Sequence, residues 1–223
     1  MSSTPICSSV ALLWLVASAS LAHPVVVVSQ TRSITASASH PDGTPSTDTR
    51  TAPGFGEFGA RARATSGPAG DPASALIQQR STIHHDSIHM LVDGLAFESI
   101  ASGGEANVSS IFDVSFDLTD ASAYELHYNG LVNSFTTSNG TLSDATGIIL
   151  ELLPVTDRTG ILAPGRYRLE IFASGRAAQN EFDAVTHQHL DLFFMPVPEP
   201  ATGALLAVGL AVLGGARGSA RRG

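Results

Sequence analysis

Apolar and polar residues alternate along much of the chain between positions 73 and 195, as expected of strands with one buried face. The alternation is clearest within the segment from position 106 to position 120. Its side chains point in two directions: Phe112, Val114, Phe116 and Leu118 on one face, and Ile111, Asp113, Ser115 and Asp117 on the other. Ile111 is the one apolar residue out of phase, and the spacing predicts a strand that buries its phenylalanine face.

Four further segments carry strand signals: AYELHYNGLV, GIILEL, GRYRLEIFASG and HLDLFFMP. β-Branched and aromatic residues are frequent in them, and the pairs Asn129-Gly130 and Pro164-Gly165 are typical of turns. Helical periodicity is nearly absent between the two ends of the chain. Short strands without intervening helices predict an all-β fold, a jelly-roll-like β-sandwich whose body occupies residues 73–195.

Two segments precede this body. Residues 23–40 begin with a run of valines and then alternate serine with alanine, which predicts an N-terminal strand. Residues 41–72 are dense in glycine, proline, serine and threonine and show no sustained period, so they are predicted to form a flexible loop. Phe55 and Phe58 are the side chains of this loop that are suited to contact the body.

The first 22 residues have the features of a secretory signal peptide. An apolar core from Val10 to Val16 is followed by small residues, and cleavage by signal peptidase is predicted between Ala22 and His23. A second site is available after Ala19. No lysine or arginine precedes the apolar core, so a buried N-terminal helix is the alternative interpretation. A signal peptide would direct the body out of the cytoplasm.

The C-terminal end combines an uncharged apolar run, residues 201–216, with a basic tail, residues 217–223, that contains Arg217, Arg221 and Arg222. As a helix, the run is roughly 24 Å long. A hydrocarbon core of about 30 Å is thicker, but bilayer thinning and the reach of flanking arginines can close that gap. The positive-inside rule keeps the arginines in the cytoplasm. We therefore expect one transmembrane helix with the body outside.

Residues 197–223 resemble the PEP-CTERM sorting signal of Gram-negative bacteria. Pro198-Glu199-Pro200 matches the motif, the apolar run matches the transmembrane segment, and the arginines match the basic stop. The resemblance implies sorting by exosortase, a membrane cysteine enzyme that cuts near the motif and releases or transfers the body. Gly218-Ser219-Ala220 interrupts the arginines, where the family usually has a tight run. A plain tail anchor is the alternative.

Composition narrows the classes of function. The net charge is −8 and all 12 basic residues are arginines. Because three of these arginines lie in the basic tail, the body is more acidic than the total, which argues against binding to nucleic acid. The one cysteine, Cys7, lies in the predicted signal peptide. The mature chain is therefore expected to hold no disulfide and no cysteine nucleophile, and no cofactor is expected.

Among the side chains of the body, the histidines are the strongest candidates for metal binding. His187 and His189 are two positions apart, which places them on the same face of a strand, where they could share Zn²⁺. A third ligand would come from His85 or His89, which with His84 crowd another predicted strand. No recognised metal-binding spacing is present, so exposed histidines on strands or turns are the alternative interpretation.

Acidic residues offer a second candidate site. Oxygen ligands for Ca²⁺ are available from Asp113, Asp117, Asp120 and Glu125. Their spacing is not that of an EF-hand, and Asp113 and Asp117 equally fit the solvent side of an alternating strand. No Gly-x-Ser-x-Gly, His-Glu-x-x-His or phosphate-binding motif occurs in the sequence.

These features predict an exported, non-enzymatic protein of the cell envelope or extracellular matrix. We expect it in the cell membrane first, with a single pass, and then at the cell surface or outside the cell after processing. The PEP-CTERM resemblance associates it with exopolysaccharide and biofilm production. A carbohydrate-binding module for matrix polysaccharide and a metal-assisted hydrolase are the two alternatives.

Overall fold

The computed structural model describes residues 24–98, 103–131, 135–178 and 183–197, and these residues form strands, turns and loops. Numbered in chain order, the strands are β1 (Val25–Ser39), β2 (Ser46–Thr51), β3 (Phe58–Ser66), β4 (Ala73–Ile83), β5 (Ser87–Phe97), β6 (Glu105–Leu118), β7 (Ser122–Leu131), β8 (Thr136–Asp144), β9 (Gly147–Leu152), β10 (Val155–Leu162), β11 (Gly165–Ala178) and β12 (Asp183–Pro196).

The strands form two antiparallel sheets that pack face to face, which confirms the predicted all-β sandwich. Sheet A has the strand order β2-β1-β6-β11-β8-β9, and sheet B has the order β10-β7-β12-β5-β4-β3. The edge strands come from two consecutive pairs, β2–β3 and β9–β10, and each pair contributes one strand to each sheet. Each of the two sides of the sandwich is therefore lined by strands that are neighbours in the chain.

Strand β6 shows how the alternating pattern builds the core. Phe112, Val114 and Phe116 are fully buried, whereas Asp113 and Asp117 lie on the outer face. The predicted orientation of this strand is therefore confirmed. Burying one phenylalanine side chain contributes about 1.5–3 kcal/mol, so the inner face of β6 is a major source of stability.

The two ends of the core are filled by side chains of different size. At one end the ring of Phe116 lies 5.8 Å from that of Tyr167 and 5.4 Å from that of Phe194, measured between centroids. At the other end each sheet contributes an inward row of register-paired alanines: Ala38, Ala106 and Ala177 in sheet A, and Ala64, Ala75, Ala96 and Ala184 in sheet B. Because methyl groups fill little volume, close packing requires the sheets to approach each other at this alanine end.

Residues 41–72 contain strands β2 and β3, so the prediction of a flexible loop for the whole segment was wrong. In β3 the side chains of Ala62 and Ala64 point inward and are at most 1% exposed, whereas Arg61 points outward. These buried alanines of β3 are small side chains with a weak hydrophobic signal, which concealed their alternation with arginines. Phe58 is buried against the body, but Phe55 remains exposed.

A buried arginine of β1 attaches the β2–β3 connection to the sandwich through hydrogen bonds. The Arg32 side chain is fully buried and lies over the ring of Phe58, with its guanidinium carbon 5.7 Å from the ring centroid. Its Nη1 donates to the carbonyl oxygen of Gly56 at 2.8 Å and to Ser81 Oγ at 3.1 Å. Its Nη2 donates to the carbonyl oxygen of Gly54 at 3.0 Å. Burial lowers the pKa of this guanidinium.

The pair Asn129-Gly130 lies within β7, so the turn predicted there was wrong. A Cβ on Gly130 would collide with Ser138 Oγ and would lie 2.8 Å from the hydroxyl oxygen of Tyr128. Glycine thus makes room for a buried cluster in which Gln188 Nε2 donates to Ser138 Oγ at 2.8 Å and to the Tyr128 hydroxyl at 3.0 Å. This cluster joins β7 and β12 of sheet B to β8 of sheet A. The other predicted turn, Pro164-Gly165, is confirmed between β10 and β11.

The first and last described residues meet at the end of the sandwich opposite to the alanine end. The amide of Thr119 donates to the carbonyl oxygen of Pro24 at 3.1 Å, and the amide of Val197 donates to that of Ala121 at 3.0 Å. Both contacts involve the short connection between β6 and β7. The chain therefore enters and leaves the sandwich at one end.

The predicted signal peptide with its Ala22–His23 cleavage site, the Pro198-Glu199-Pro200 motif, the apolar run 201–216 and the basic tail 217–223 lie outside the described residues. Among the residues that are described, no helix has the length and apolar character needed to cross a membrane.

Candidate functional site

The predicted histidine ligands lie on two kinds of structure. His89 lies in β5, and His187 and His189 lie in β12 on the outer face of sheet B, which confirms that the latter two share a face. His84 and His85 belong to the β4–β5 turn and not to a strand, so the prediction of three histidines on one strand was wrong. Nε2 of His85 lies 3.7 Å from Oδ2 of Asp86 in the same turn.

Each histidine on the outer face of β5 and β12 faces a carboxylate from its own or the neighbouring strand. Nδ1 of His89 lies 2.7 Å from Oδ1 of Asp191, and Nε2 of His189 lies 3.3 Å from Oδ2 of the same side chain. Nδ1 of His187 lies 2.7 Å from Oδ1 of Asp93. Within the described ranges, no three side chains of histidine, cysteine, aspartate or glutamate are arranged to hold a metal ion.

Two of the four predicted oxygen ligands for Ca²⁺ pair with arginines of β11. Asp117 accepts two hydrogen bonds from Arg166, at 2.8 and 3.1 Å, and Asp113 accepts two from Arg168, both at 2.9 Å. The bond from Arg166 lowers the pKa of Asp117. These carboxylates lie on the solvent side of β6, as the second interpretation of the sequence predicted.

Sequence reasoning missed His127, which lies on the same outer face of sheet B. Its Nδ1 lies 2.8 Å from Oδ1 of Asp157 on β10, and its Nε2 lies 2.9 Å from Oε1 of Glu125 on its own strand. The pairing register places four residues side by side across β10, β7, β12 and β5: Asp157, His127, Asp191 and His89. We refer to these four as the imidazole–carboxylate row. The Glu125-x-His127 spacing in the sequence signals only that these two residues share a face, and not the pairing across strands.

Sheet A carries a different feature on its outer face, a polar groove of about 540 Å³ at the alanine end. The side chains that give the groove its polar character come from β6, β8 and β11: Asn107, Ser109, Thr137, Ser174 and Arg176. Phe135, just before β8, also lines the groove and packs in part against the core. The register pairs Asn107 with Arg176 and Ser109 with Ser174, so hydroxyl, amide and guanidinium groups lie side by side.

Glu105 contacts two of the side chains that line the groove, Asn107 and Arg176. Its Oε1 accepts a hydrogen bond from Asn107 Nδ2 at 2.8 Å and lies 3.2 Å from Nε of Arg176. Arg176 and Glu105 thereby form a neutral pair, beside donors and acceptors that can hydrogen-bond a hydroxylated ligand. Sheet B has a smaller hollow of about 150 Å³, which is lined in part by His89, His189 and Arg80.

Comparison with known proteins gives no family for this chain. No protein-family model matches it, and no curated protein matches it. Among solved structures, the GH31 α-xylosidase from Xanthomonas citri is similar over 69% of this chain and 30% of that chain, with 6% sequence identity and a TM-score of 0.19. A similarity this low carries no argument about fold or function.

Proposed function

We propose that the protein is an exported, non-enzymatic component of the cell envelope or extracellular matrix, sorted by exosortase through its C-terminal signal. The observation that carries this proposal is the order of Pro198-Glu199-Pro200, the apolar run 201–216 and the basic tail in the sequence. The signal peptide, removed after Ala22, would place the body outside the cytoplasm. We also propose that the β-sandwich is jelly-roll-like.

The positions of the chain ends support this role. Pro24 and Val197 lie at one end of the sandwich, whereas the polar groove lies at the other. A body attached to the membrane through the residues after Val197 would carry its groove on the side away from the bilayer. That orientation suits a protein that contacts material outside the cell.

Processing in the native host tests the sorting step. The full chain is compared with a variant that lacks residues 198–223 and with a Glu199→Ala variant, followed by cell fractionation and mass spectrometry of the recovered chains. An Arg158→Ser variant, altered in β10, serves as the control. We expect cleavage before His23 in all four chains and cleavage near the motif only in the unaltered chain and in Arg158→Ser. Equal fractionation of the truncated and unaltered chains would show that the C-terminal signal has no sorting role.

The polar groove favours a more specific second candidate, binding of matrix polysaccharide. Its volume of about 540 Å³ falls within the usual range for ligand sites. Asn107, Ser109 and Ser174 provide the mixed donors and acceptors that sugar hydroxyls require, and Phe135 adds apolar surface to the lining.

Arginine variants at the two ends of β11 test the groove. Arg176 lines the groove and pairs with Glu105, whereas Arg166 pairs with Asp117 at the other end of the strand, and both side chains are 64% exposed. The full chain in detergent is titrated with polysaccharide from its host. We expect Arg176→Ala to weaken binding about tenfold, as for loss of one charged hydrogen bond, and Arg166→Ala to leave it unchanged. Equal affinities for both variants would exclude the groove.

Metal content tests the metal-assisted hydrolase alternative. The full chain, purified without chelator, is analysed by elemental mass spectrometry. Stoichiometric Zn²⁺ that is lost in a His187→Ala, His189→Ala double variant would favour the hydrolase over the non-enzymatic role. We expect no such stoichiometric metal, because the two histidines contact different carboxylates. His187 contacts Asp93 of β5, and His189 contacts Asp191 of its own strand.

A further inference from the structure

Edge strand β10 is joined to sheet B through β7 on one side only. Its residues from Val155 to Leu162 pair with β7 from Asn129 back to Ser122. Edge strands are the part of a sheet that opens most readily, because they lack a second hydrogen-bonded neighbour. Side-chain contacts that connect β10 to β7 therefore have a larger effect on this strand than on an interior one.

His127 makes such a contact, and its geometry specifies a protonation state. One ring nitrogen lies 2.8 Å from a carboxylate oxygen of Asp157, and the other lies 2.9 Å from one of Glu125. Ionised carboxylates accept hydrogen bonds and cannot donate them. Neutral imidazole has one donor nitrogen, whereas the imidazolium ion has two. Both contacts are satisfied together only when the His127 ring carries the positive charge.

We propose that His127 is a proton-dependent clasp that fastens edge strand β10 to β7. In the charged state the ring connects the two carboxylates, which lie on the same outer face of adjacent strands. Loss of the proton removes one hydrogen bond and leaves Glu125 and Asp157 with two negative charges and no cation between them. The edge strand then keeps its backbone ladder and the burial of Thr156 and Leu162, but it loses this link to β7 and opens more often.

The surroundings of the ring reinforce this dependence. Asp191 of β12 occupies the register position next to His127, and His89 follows it in the imidazole–carboxylate row. Arg158 of β10 turns back, and its Nη1 donates to the carbonyl oxygen of Asp157 at 3.2 Å. The charged groups that face the clasp are thus mainly carboxylates, which favour a charged ring.

The direction of the pH dependence follows from these contacts. The hydrogen bonds that the His127 ring donates to Asp157 and, second in size, to Glu125 raise its pKa above the ordinary value of 6.5. A raised pKa in the folded state means that the stabilisation is fully present below pH 6.5 and is lost as the pH rises through the raised value. Acidification is therefore expected to close the clasp, and alkaline conditions are expected to open it.

Nuclear magnetic resonance of the imidazole nitrogens in the full chain tests the protonation claim directly. We expect a His127 pKa above 6.5 that moves down towards this value in Glu125→Gln and Asp157→Asn variants. A value at or below 6.5 in the unaltered chain, or one that neither substitution moves, would overturn the proposal.

Hydrogen exchange tests the mechanical consequence. Protection of the amides of Val155–Leu162, corrected for intrinsic exchange, is measured at about pH 5.5 and about pH 8.5. We expect it to fall roughly threefold to tenfold over this range in the unaltered chain, but less than about twofold in His127→Gln. His187→Gln is the matched control, because His187 contacts one carboxylate between two interior strands. The same pH dependence in His127→Gln as in the unaltered chain would refute the clasp.

Discussion

Replacing Arg32 by methionine tests whether one buried charge maintains the β2–β3 connection. Methionine keeps most of the length and apolar volume of the arginine stem but removes the guanidinium. Three hydrogen bonds of 3.1 Å or less are lost, to the carbonyl oxygens of Gly56 and Gly54 and to Ser81 Oγ. The contact of the guanidinium with the ring of Phe58 is lost as well.

Two large effects oppose each other in this substitution. Hydrogen bonds from a charged donor contribute about 1.5–3 kcal/mol each, so three of them amount to roughly 4–9 kcal/mol. Removing the charge also removes its desolvation cost, which is several kcal/mol for a buried ion. Among the described residues no carboxylate forms an ion pair with the guanidinium, so its hydrogen bonds and its contact with the Phe58 ring offset that cost. Because Gly54 is exposed and can be rehydrated, we expect a net destabilisation of about 3 kcal/mol.

Differential scanning calorimetry and urea unfolding of the full chain measure this difference. A loss of about 3 kcal/mol corresponds to a fall in Tm of roughly 6–12 °C for a protein of this size. Arg32→Lys is the informative companion, because it keeps the charge but not the planar fork that reaches Gly54 and Gly56 together. If Arg32→Met were as stable as the unaltered chain or more stable, the removed desolvation cost would equal or exceed the lost hydrogen bonds, and the reasoning would fail.

Three further outcomes can be checked by urea unfolding. Gly130→Ala is expected to cost about 1–3 kcal/mol, because its Cβ would collide with Ser138 Oγ; unchanged stability would mean that β7 can shift. Gln188→Leu is expected to cost about 2–3 kcal/mol, because it leaves the Ser138 hydroxyl without this donor in the core. The lowered pKa of Asp117, caused by Arg166, means that its contribution is present at neutral pH and is lost on acidification below about pH 4. In Asp117→Asn the free energy of unfolding is expected to fall less on acidification. The same pH dependence in the variant as in the unaltered chain would contradict this role of Asp117.

The sequence predicted the fold best where side chains of contrasting size and polarity alternate. In β6 large phenylalanines alternate with aspartates, so the buried face could be identified before the structure was known. In β3 the buried positions are alanines such as Ala62, which differ little in hydrophobicity from the glycines and threonines of a loop. Arg32 is in phase with the buried residues of β1, and a charged residue at such a position was a signal that went unused.

The candidate sites were less predictable because they depend on strand register. The same-face relation of His187 and His189 follows from their spacing, but their carboxylate partners do not. Asp93 lies on β5, and the pairing that brings it against His187 connects residues 94 positions apart. The polar groove likewise combines three strands that the sequence keeps far apart. Long-range pairing of this kind leaves no periodic trace in the sequence.

Pro24 and Val197 both lie beside the β6–β7 connection, and this position affects how the body responds to a pulling force. β12 runs to that end from Asp183 to Pro196 and is paired on both sides, with β5 and with β7. A pull applied at Val197 acts along this strand, so it must shear two hydrogen-bond ladders at once instead of unzipping them one bond at a time. A body held under flow by its C-terminal side would thus bear the load on a strand that is hydrogen-bonded on both sides.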